Sequence, residues 1–423
     1  MTTEPSEQHR LSIGLGDRFG REGEAQLAAV QQFSREYGIP VIPVWNKSQR
    51  EHALTGTHPR DTRREADEAV TRLGWQDPYY VDADHVSAAT LEPFLPYCDY
   101  FTIDVAHLLD APFDPAELDE LRELLDPWCR RRISLPAGGV LELQPGTAAV
   151  AARRYGRALD EIAQVVGRLR RQRPGDCRIE ISADEVGVPQ SPAELFCLLA
   201  LLAARKIAVD ALAPRFPGAF LKGIDYRGDL RAFAIHLQQV VGVLEFARRE
   251  FGWRELRLSV HSGSDKSSLY PILHRCAVAA GGGLHLKTAG TTWLEEVAAL
   301  AEVEPDGWSF VRELYRKAWR RRAELVQPYA AVVDIREERL PDPEAVATWS
   351  GRQFAAALRP SAASPPYHED LRQLVHIAYP LAAEAGDEFH DLLERYRDRI
   401  APRVTENLYG RHLVAVFGGG RRS

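Results

Sequence analysis

Eight short apolar runs alternate with helix-period segments over residues 11–302, and this alternation limits the fold more than any other feature of the sequence. The runs are rich in β-branched and aromatic residues, as expected of parallel strands buried on both faces. They cover residues 11–15, 41–45, 79–83, 100–104, 178–182, 209–213, 257–261 and 284–287. Helical spacing lies between them, at residues 23–37, 59–73, 193–206, 228–251 and 293–302. Eight β-then-α units predict a (β/α)8 barrel of the TIM type.

A doubly wound parallel sheet is the alternative architecture. That fold usually carries a glycine-rich dinucleotide-binding turn after its first strand. Here the glycines after the first run are Gly14, Gly16 and Gly20, and they do not have the G-x-G-x-x-G spacing. We therefore favour the barrel.

Two segments fall outside the eightfold alternation. Residues 110–147 are dense in proline, glycine and acidic residues and predict an insertion after strand four, either a lid or a subunit contact. Residues 306–423 carry helical patterns interrupted by prolines and predict a C-terminal helical extension. We expect a catalytic barrel over residues 1–305 and the extension over 306–423.

The charge balance and the hydropathy exclude several classes of protein. Lys and Arg total 53 against 60 Asp and Glu, and the net charge of −7 argues against nucleic-acid or membrane-surface binding. The sequence contains no apolar run long enough for a membrane span and no apolar signal segment. The five cysteines are scattered, which favours a reducing cytoplasm. The oligomeric state stays open, a homo-oligomer included.

Histidines at the ends of the predicted strands indicate a metal site. The carboxyl ends of parallel barrel strands converge on one mouth, so residues that follow different strands can meet there. Asp84 and His85 follow the third strand, His261 ends the seventh, and His285 lies on the eighth. We predict that His85, His261 and His285 bind a divalent metal ion such as Zn²⁺, Mn²⁺ or Ni²⁺. Asp84 would move a proton, and its alternative role is a helix cap.

The fifth predicted strand carries a carboxylate in an apolar setting. Glu180 falls between Ile179 and Ile181, and a buried carboxylate is costly unless it is paired or bound to a metal. We therefore assign Glu180 a catalytic role. Asp184 and Glu185, which follow the strand, are expected to be exposed and receive none.

Lysine is rare in this arginine-rich sequence, and its positions predict an anionic substrate. Of only six lysines, Lys47, Lys222, Lys266 and Lys287 lie at or just after predicted strands. An ammonium is a compact point charge that arginine does not replace. The small and hydroxylated residues before Lys266 are typical of an anion-binding loop, or of a helix cap. The predicted substrate-binding residues are Asp17, Lys47, Asp225, Ser262, Ser264, Lys266 and Lys287.

The sequence resembles the class II, metal-dependent sugar aldolases in three short segments. Asp84-His85, Ile179-Glu180-Ile181 and His261-Ser262-Gly263-Ser264 match the positions of their Asp-His pair, fifth strand and seventh strand. The resemblance implies that Asp84 transfers a proton while His85 and His261 bind the metal. Those enzymes supply a further histidine at strand six, which residues 209–227 lack, and His285 is the substitute that we expect.

A closer resemblance, to the tagaturonate epimerase family, extends over nearly the whole chain. The matching segments are GLGDRFG (14–20), PVWNKSQREH (43–52), YYVDADH (79–85), SVHSGSDK (259–266) and HLKTAGTTWLE (285–295). The resemblance implies a metal-dependent interconversion of D-tagaturonate and D-fructuronate in hexuronate catabolism.

The substrate pair favours a retro-aldol mechanism, because the inverted carbon is not adjacent to the ketone. In this hypothesis Asp84 is the general base, Glu180 or Asp225 is the acid, and Lys47, Lys266 and Lys287 hold the uronate carboxylate. One alternative is an aldolase or another isomerase acting on a sugar acid or sugar phosphate. A barrel that binds uronates without turnover is the non-enzymatic alternative.

Overall fold

Eight parallel strands close into a barrel in the computed structural model. The structure describes residues 11–419, apart from 137, 174, 176, 280, 289 and 361–366. The barrel strands are β1 (Leu11–Leu15), β2 (Ile42–Ser48), β3 (Tyr80–Val86), β4 (Tyr100–Asp104), β7 (Arg178–Ala183), β8 (Ala211–Pro214), β9 (Arg257–His261) and β10 (Leu284–Lys287). They are hydrogen-bonded in chain order, and β10 pairs with β1 to complete the circle. This confirms the predicted TIM-type barrel.

The second and third strands run further than their apolar segments predict. The β2 strand continues through Asn46 and Lys47 to Ser48, and β3 continues through Asp84 to Val86. These two strands stay paired in register up to Ser48 and Asp84. Polar side chains at these positions are buried at the mouth, so a polar residue does not mark the end of either strand.

Helices surround the barrel and begin and end at residues suited to that role. Ser48, His58 and Ser191 accept a hydrogen bond from the first turn of their helices, and Gly38 and Gly74 end helices with positive φ. The helices of the barrel region are α1 (Gly23–Tyr37), α2 (Gln49–Thr55), α3 (Pro59–Leu73), α4 (Pro115–Cys129), α5 (Pro145–Gln172), α6 (Pro192–Ala204), α7 (Leu230–Glu250), α8 (Tyr270–Leu273) and α9 (Thr291–Ala301).

The predicted insertion after β4 contains helix α4 and a small antiparallel hairpin. The hairpin strands are β5 (Arg132–Ser134) and β6 (Val140–Glu142). Trp128 of α4 packs against Phe196, Phe246 and Phe251, so the segment lies on the outer helices of the barrel. Its role as a lid or subunit contact stays a prediction.

The C-terminal extension is helical, as predicted. Its helices are α10 (Asp306–Arg320), α11 (Arg322–Val326), α12 (Pro343–Ala347), α13 (Gly351–Leu358), α14 (Glu369–Ile377), α15 (Tyr379–Glu384), α16 (Asp387–Arg395), α17 (Arg397–Glu406) and α18 (Val414–Val416). A second apolar core, separate from that of the barrel, joins most of these helices to α9 and to Phe19. Within the described residues, no helix has the length and apolar character needed to cross a membrane.

Helix α14 ties the extension to the loops at the barrel mouth. Arg372, which is fully buried, donates to the carbonyls of Gly223 and Leu358 and pairs with Asp265 at 2.5 Å. His376 of the same helix lies against Gly290, where an added Cβ would come within 2.3 Å of its ring. The loops after β8, β9 and β10 are therefore covered by the extension.

Candidate active site

Two histidines and one carboxylate meet at the carboxyl end of the barrel. His85 is the penultimate residue of β3, Asp184 follows β7 and His261 ends β9. One side-chain ligand atom from each of these residues lies within 4.8 Å of the others. Two imidazoles and a carboxylate are ordinary ligands for a divalent transition metal, so the donor set fits a metal ion.

Each histidine is held by a carboxylate on the ring nitrogen that faces away from Asp184. Nδ1 of His85 lies 3.0 Å from Asp84, and Nε2 of His261 lies 2.6 Å from Glu180. The opposite nitrogens face Asp184, at 3.9 Å from His85 and 3.1 Å from His261. Carboxylates commonly orient metal-binding histidines in this way. The geometry therefore leaves one nitrogen of each ring directed at a common point.

Backbone conformation also fixes one of these rings. His85 has a φ of 55°, in the left-handed region that non-glycine residues rarely adopt. The strand register shifts between Ala83 and Val86, so the irregularity is centred on His85. Strained backbone of this kind is often found at functional sites, where the surrounding structure maintains it.

The carboxylates around the histidines control their protonation. Burial lowers the pKa of His261, but Asp184 and Glu180 outweigh it and raise that pKa to about 9. Burial acts in the same direction on His85, and Asp84 and Asp184 hold its pKa well above the ordinary value. Conversely, burial raises the pKa of Asp184, but His261 outweighs burial and keeps that pKa well below its usual range. Both rings would have to lose a proton to bind a metal ion.

Lys287 lies at the centre of a buried network of acidic groups. Its Nζ donates to Asp82 and Asp84 at 2.7 Å each and to Thr102 at 2.6 Å, and it lies 3.5 Å from Glu180. Burial raises the pKa of Asp82 to about 7 although Lys287 opposes the shift. The same cation holds the pKa of Asp84 well below its usual value. Asp84 is therefore an ionised carboxylate beside His85, and its proton-transfer role stays a prediction.

The structure places His285 away from the group formed by His85, Asp184 and His261. As predicted, His285 and Lys287 point to the same side of β10, into the barrel. Nδ1 of His285 lies 2.8 Å from Ser12 Oγ, and its ring packs beside Tyr100. His285 lies two residues before the mouth, too deep to join the other histidines. Asp184, and not His285, has a ligand atom within 4.8 Å of those of His85 and His261, and the predicted role of His285 as a metal ligand stays a prediction.

Glu180, predicted to be catalytic, lies beside His261 inside the barrel. It is fully buried and accepts from Tyr100 at 2.7 Å as well as contacting His261. Burial raises the pKa of Glu180, but Lys287 and His261 lower it by more than burial raises it. The carboxylate is therefore ionised. These contacts hold the His261 ring in place, and the predicted catalytic role of Glu180 stays a prediction.

Lys47 and Asp17, predicted to bind substrate, are used within the protein. Lys47 is buried, with 3% of the residue exposed, and its Nζ donates to the carbonyl of Arg18 at 2.5 Å. Asp17 accepts from four successive backbone N–H groups, those of residues 19–22. Both residues therefore shape the turn after β1.

The loop after β9 is similarly satisfied by its own contacts. Lys266 is fully buried, and its Nζ donates to the carbonyls of Leu221 and Ile224 and to Ser264 Oγ. Ser262 donates to the carbonyl of Lys287.

Asp225, in the loop after β8, joins that loop to the loop after β9. It accepts from the backbone of Tyr226 and Ser268 and from the hydroxyls of Ser267 and Ser268. These residues hold the mouth loops together, and their predicted contact with substrate stays a prediction.

Comparison with known proteins agrees with the resemblance seen in the sequence. A family model described as tagaturonate epimerase (UxaE) matches residues 1–415. A tagaturonate/fructuronate epimerase of Thermotoga maritima is 31% identical over 387 residues, which cover 88% of this chain and 73% of that protein.

Solved structures with the same fold come from Cohnella laeviribosi. The native crystal structure of its fructuronate-tagaturonate epimerase UxaE has a TM-score of 0.78 and 25% identity, covering 96% of this chain and 81% of that one. A glycerol complex of that enzyme has a TM-score of 0.80 and 24% identity, covering 97% and 82%. From the family match over residues 1–415 and the relative at 31% identity, this chain belongs to the tagaturonate epimerase family and is an isomerase.

Proposed function

We propose that this protein interconverts D-tagaturonate and D-fructuronate with a divalent metal ion held by His85, Asp184 and His261. The family membership supports the substrate pair. The observation that carries the metal is the pairing of Asp84 with His85 and of Glu180 with His261. Each pairing leaves one ring nitrogen directed at Asp184, as a metal site requires. A bound metal ion would act there as a Lewis acid on the substrate ketone.

The chemistry of the substrate pair requires more than removal of a C–H proton. The inverted carbon lies one position beyond the carbon next to the ketone, so enolisation does not reach its hydrogen. A retro-aldol step reaches it: the hydroxyl on the inverted carbon loses its proton, and the bond to the neighbouring carbon breaks. The products are an aldehyde and an enolate, and rotation of the aldehyde before the bond forms again inverts the centre.

Asp84 is the group that we assign to take and return the hydroxyl proton. Its side chain is 10% exposed beside His85, whereas that of Glu180 has no exposed surface. Lys287 keeps Asp84 ionised, and an ionised carboxylate is the form that accepts a proton. Glu180 orients His261, and Asp225 is engaged by Ser267 and Ser268, so neither of the predicted acid partners is needed in this scheme.

A proton NMR time course with D-tagaturonate in D₂O, with and without a chelator, tests the proposal. We expect D-fructuronate to appear, the chelator to stop its formation, and the inverted carbon to keep its hydrogen. Deuterium at that carbon would exclude the retro-aldol step. Full activity after complete metal removal would exclude the metal, and free aldehyde trapped during turnover would indicate an aldolase instead.

A further inference from the structure

Three cationic side chains gather around two tyrosines at the mouth of the barrel. The guanidinium of Arg18 lies 3.7 Å over the ring of Tyr379. Lys222 Nζ lies 5.3 Å from the ring of Tyr329, and Arg50 lies 4.9 Å from the same ring. The two tyrosine hydroxyls are 3.1 Å apart, so the three cations belong to one cluster. We call Arg18, Arg50 and Lys222 the cationic cluster.

Arg18 has hydrogen-bonding capacity that the protein does not use. The residue is 7% exposed, and its Nε and Nη1 atoms have no hydrogen-bond partner among the residues that the structure describes. The nearest carboxylate is Glu51, at 3.8 Å from Nη1, which is beyond hydrogen-bonding distance. A buried guanidinium with free donors is costly unless an anion completes it.

Lys222, the second cation of the cluster, is half-buried. Its backbone N–H donates to the carbonyl of Val332 at 2.8 Å, which fixes the residue beside Tyr329. Within the described part of the chain, its Nζ has no ion pair or hydrogen bond. Burial lowers the pKa of Lys222 to about 8, and repulsion from Arg18 and Arg50 adds to the effect. A bound anion would relieve that repulsion.

The cationic cluster lies on the same side of the barrel as the two histidines. Arg18 follows β1 and Lys222 follows β8, so both come from the carboxyl ends of barrel strands. Glu185, the neighbour of Asp184, is one of the charges that act on Lys222. The cluster and the candidate metal group therefore belong to one mouth.

Two other lysines of the mouth have all three of their N–H donors engaged by the protein. Lys287 donates to Asp82, Asp84 and Thr102, and Lys266 donates to three oxygens. Lys47 is buried and donates to the carbonyl of Arg18. An anionic group of the substrate would meet unused donors on Arg18 and Lys222, but none on Lys266 or Lys287.

We propose that Arg18 and Lys222 bind the carboxylate of the uronate, and that they make this enzyme prefer a sugar acid to the neutral ketose. A planar guanidinium and an ammonium beside the same pair of tyrosines suit a carboxylate. The inference rests on the proposed function, because it names which residues recognise the acidic end of that substrate.

Calorimetric binding of D-fructuronate to the metal-loaded protein tests this assignment. We expect Lys222→Met and Arg18→Met each to weaken binding about 10- to 100-fold, as for the loss of a charged hydrogen bond. Lys222→Arg should restore most of the affinity. Lys317→Met is the matched control, since Lys317 is exposed on α10 and is not part of the cationic cluster. Thermal melting of each variant separates lost binding from lost folding.

The ratio of kcat/KM for D-tagaturonate to that for the neutral sugar D-tagatose gives a second readout. It should fall in Lys222→Met and stay at the wild-type value in Lys317→Met. Folded Lys222→Met and Arg18→Met proteins that bind D-fructuronate as tightly as wild type would overturn the inference while leaving the epimerase proposal intact. Wild-type protein that binds D-fructuronate through these residues without converting it would instead overturn the epimerase proposal.

Discussion

Oε1 of Glu180 lies 2.6 Å from Nε2 of His261, on the side of the ring that faces away from Asp184. A carboxylate in this position fixes the ring and strengthens the opposite nitrogen as a ligand. Glu180, a buried residue of β7, thus fixes the orientation of a histidine at the mouth although its own side chain stays inside the barrel.

Glu180→Gln should weaken metal binding without removing it. The amide can still accept from His261 but has no charge to support the ring, and loss of such a partner typically costs about 10- to 100-fold in metal affinity. Competition with a coloured chelator measures the change. Wild-type metal affinity in the variant would contradict the orienting role of Glu180.

Asp184→Asn and His285→Gln separate the observed group from the set expected from sequence. Asp184 lies within 4.8 Å of both histidine ligand atoms, whereas His285 is hydrogen-bonded to Ser12 inside the barrel. We expect Asp184→Asn to lose the metal and most of kcat, and His285→Gln to keep the metal. Elemental analysis of the purified proteins gives the stoichiometry. The reverse pattern would restore His285 as the third ligand.

Lys287→Met should act mainly on stability. The change leaves Asp82, Asp84 and Glu180 buried without their shared cation, and breaking a buried ion pair costs about 3–5 kcal/mol. Urea unfolding followed by circular dichroism measures the loss. A variant as stable as wild type that no longer binds D-fructuronate would show instead that Lys287 holds the substrate.

Uronate turnover should fall at alkaline pH because Lys222 loses its charge. Its pKa is lowered to about 8, so the ammonium is present below that pH and is lost as the pH rises through it. We expect kcat/KM for D-tagaturonate to decline above pH 8, and Lys222→Arg to move the decline to higher pH. A profile identical in Lys222→Arg and wild type would assign the decline to another group. The charged and titratable groups that act on Lys222 or respond to it are Arg18, Arg50, Glu51, Glu185, Lys266 and His376.

The barrel could be predicted because its signal is local. Apolar runs and helical spacing identify strands such as 100–104 and helices such as 23–37 at their observed bounds. The ends of β2 and β3 could not be placed in this way, since Lys47 and Asp84 are polar yet remain in register within the sheet.

The candidate site was only partly predictable because it depends on depth and on distant partners. His85 and His261 lie at the carboxyl ends of β3 and β9, and their meeting follows from the convergence of barrel strands. The sequence does not show that His285 lies deeper in the barrel. Asp184, predicted to be exposed, is half-buried, because its partners are supplied by β3 and β9. Asp184 directly follows β7 at the carboxyl end of the barrel. That position was the signal that could have identified it as a candidate metal ligand.

Arg372 and His376 are synthesised after the last barrel strand, yet they clamp the loops around the mouth. Tyr329 and Tyr379, which flank the cationic cluster, also come from this late part of the chain. A chain cut after the last barrel strand would therefore lose the side chains that hold the mouth loops and the two tyrosines beside the cationic cluster, although it would keep Arg18 and Lys222.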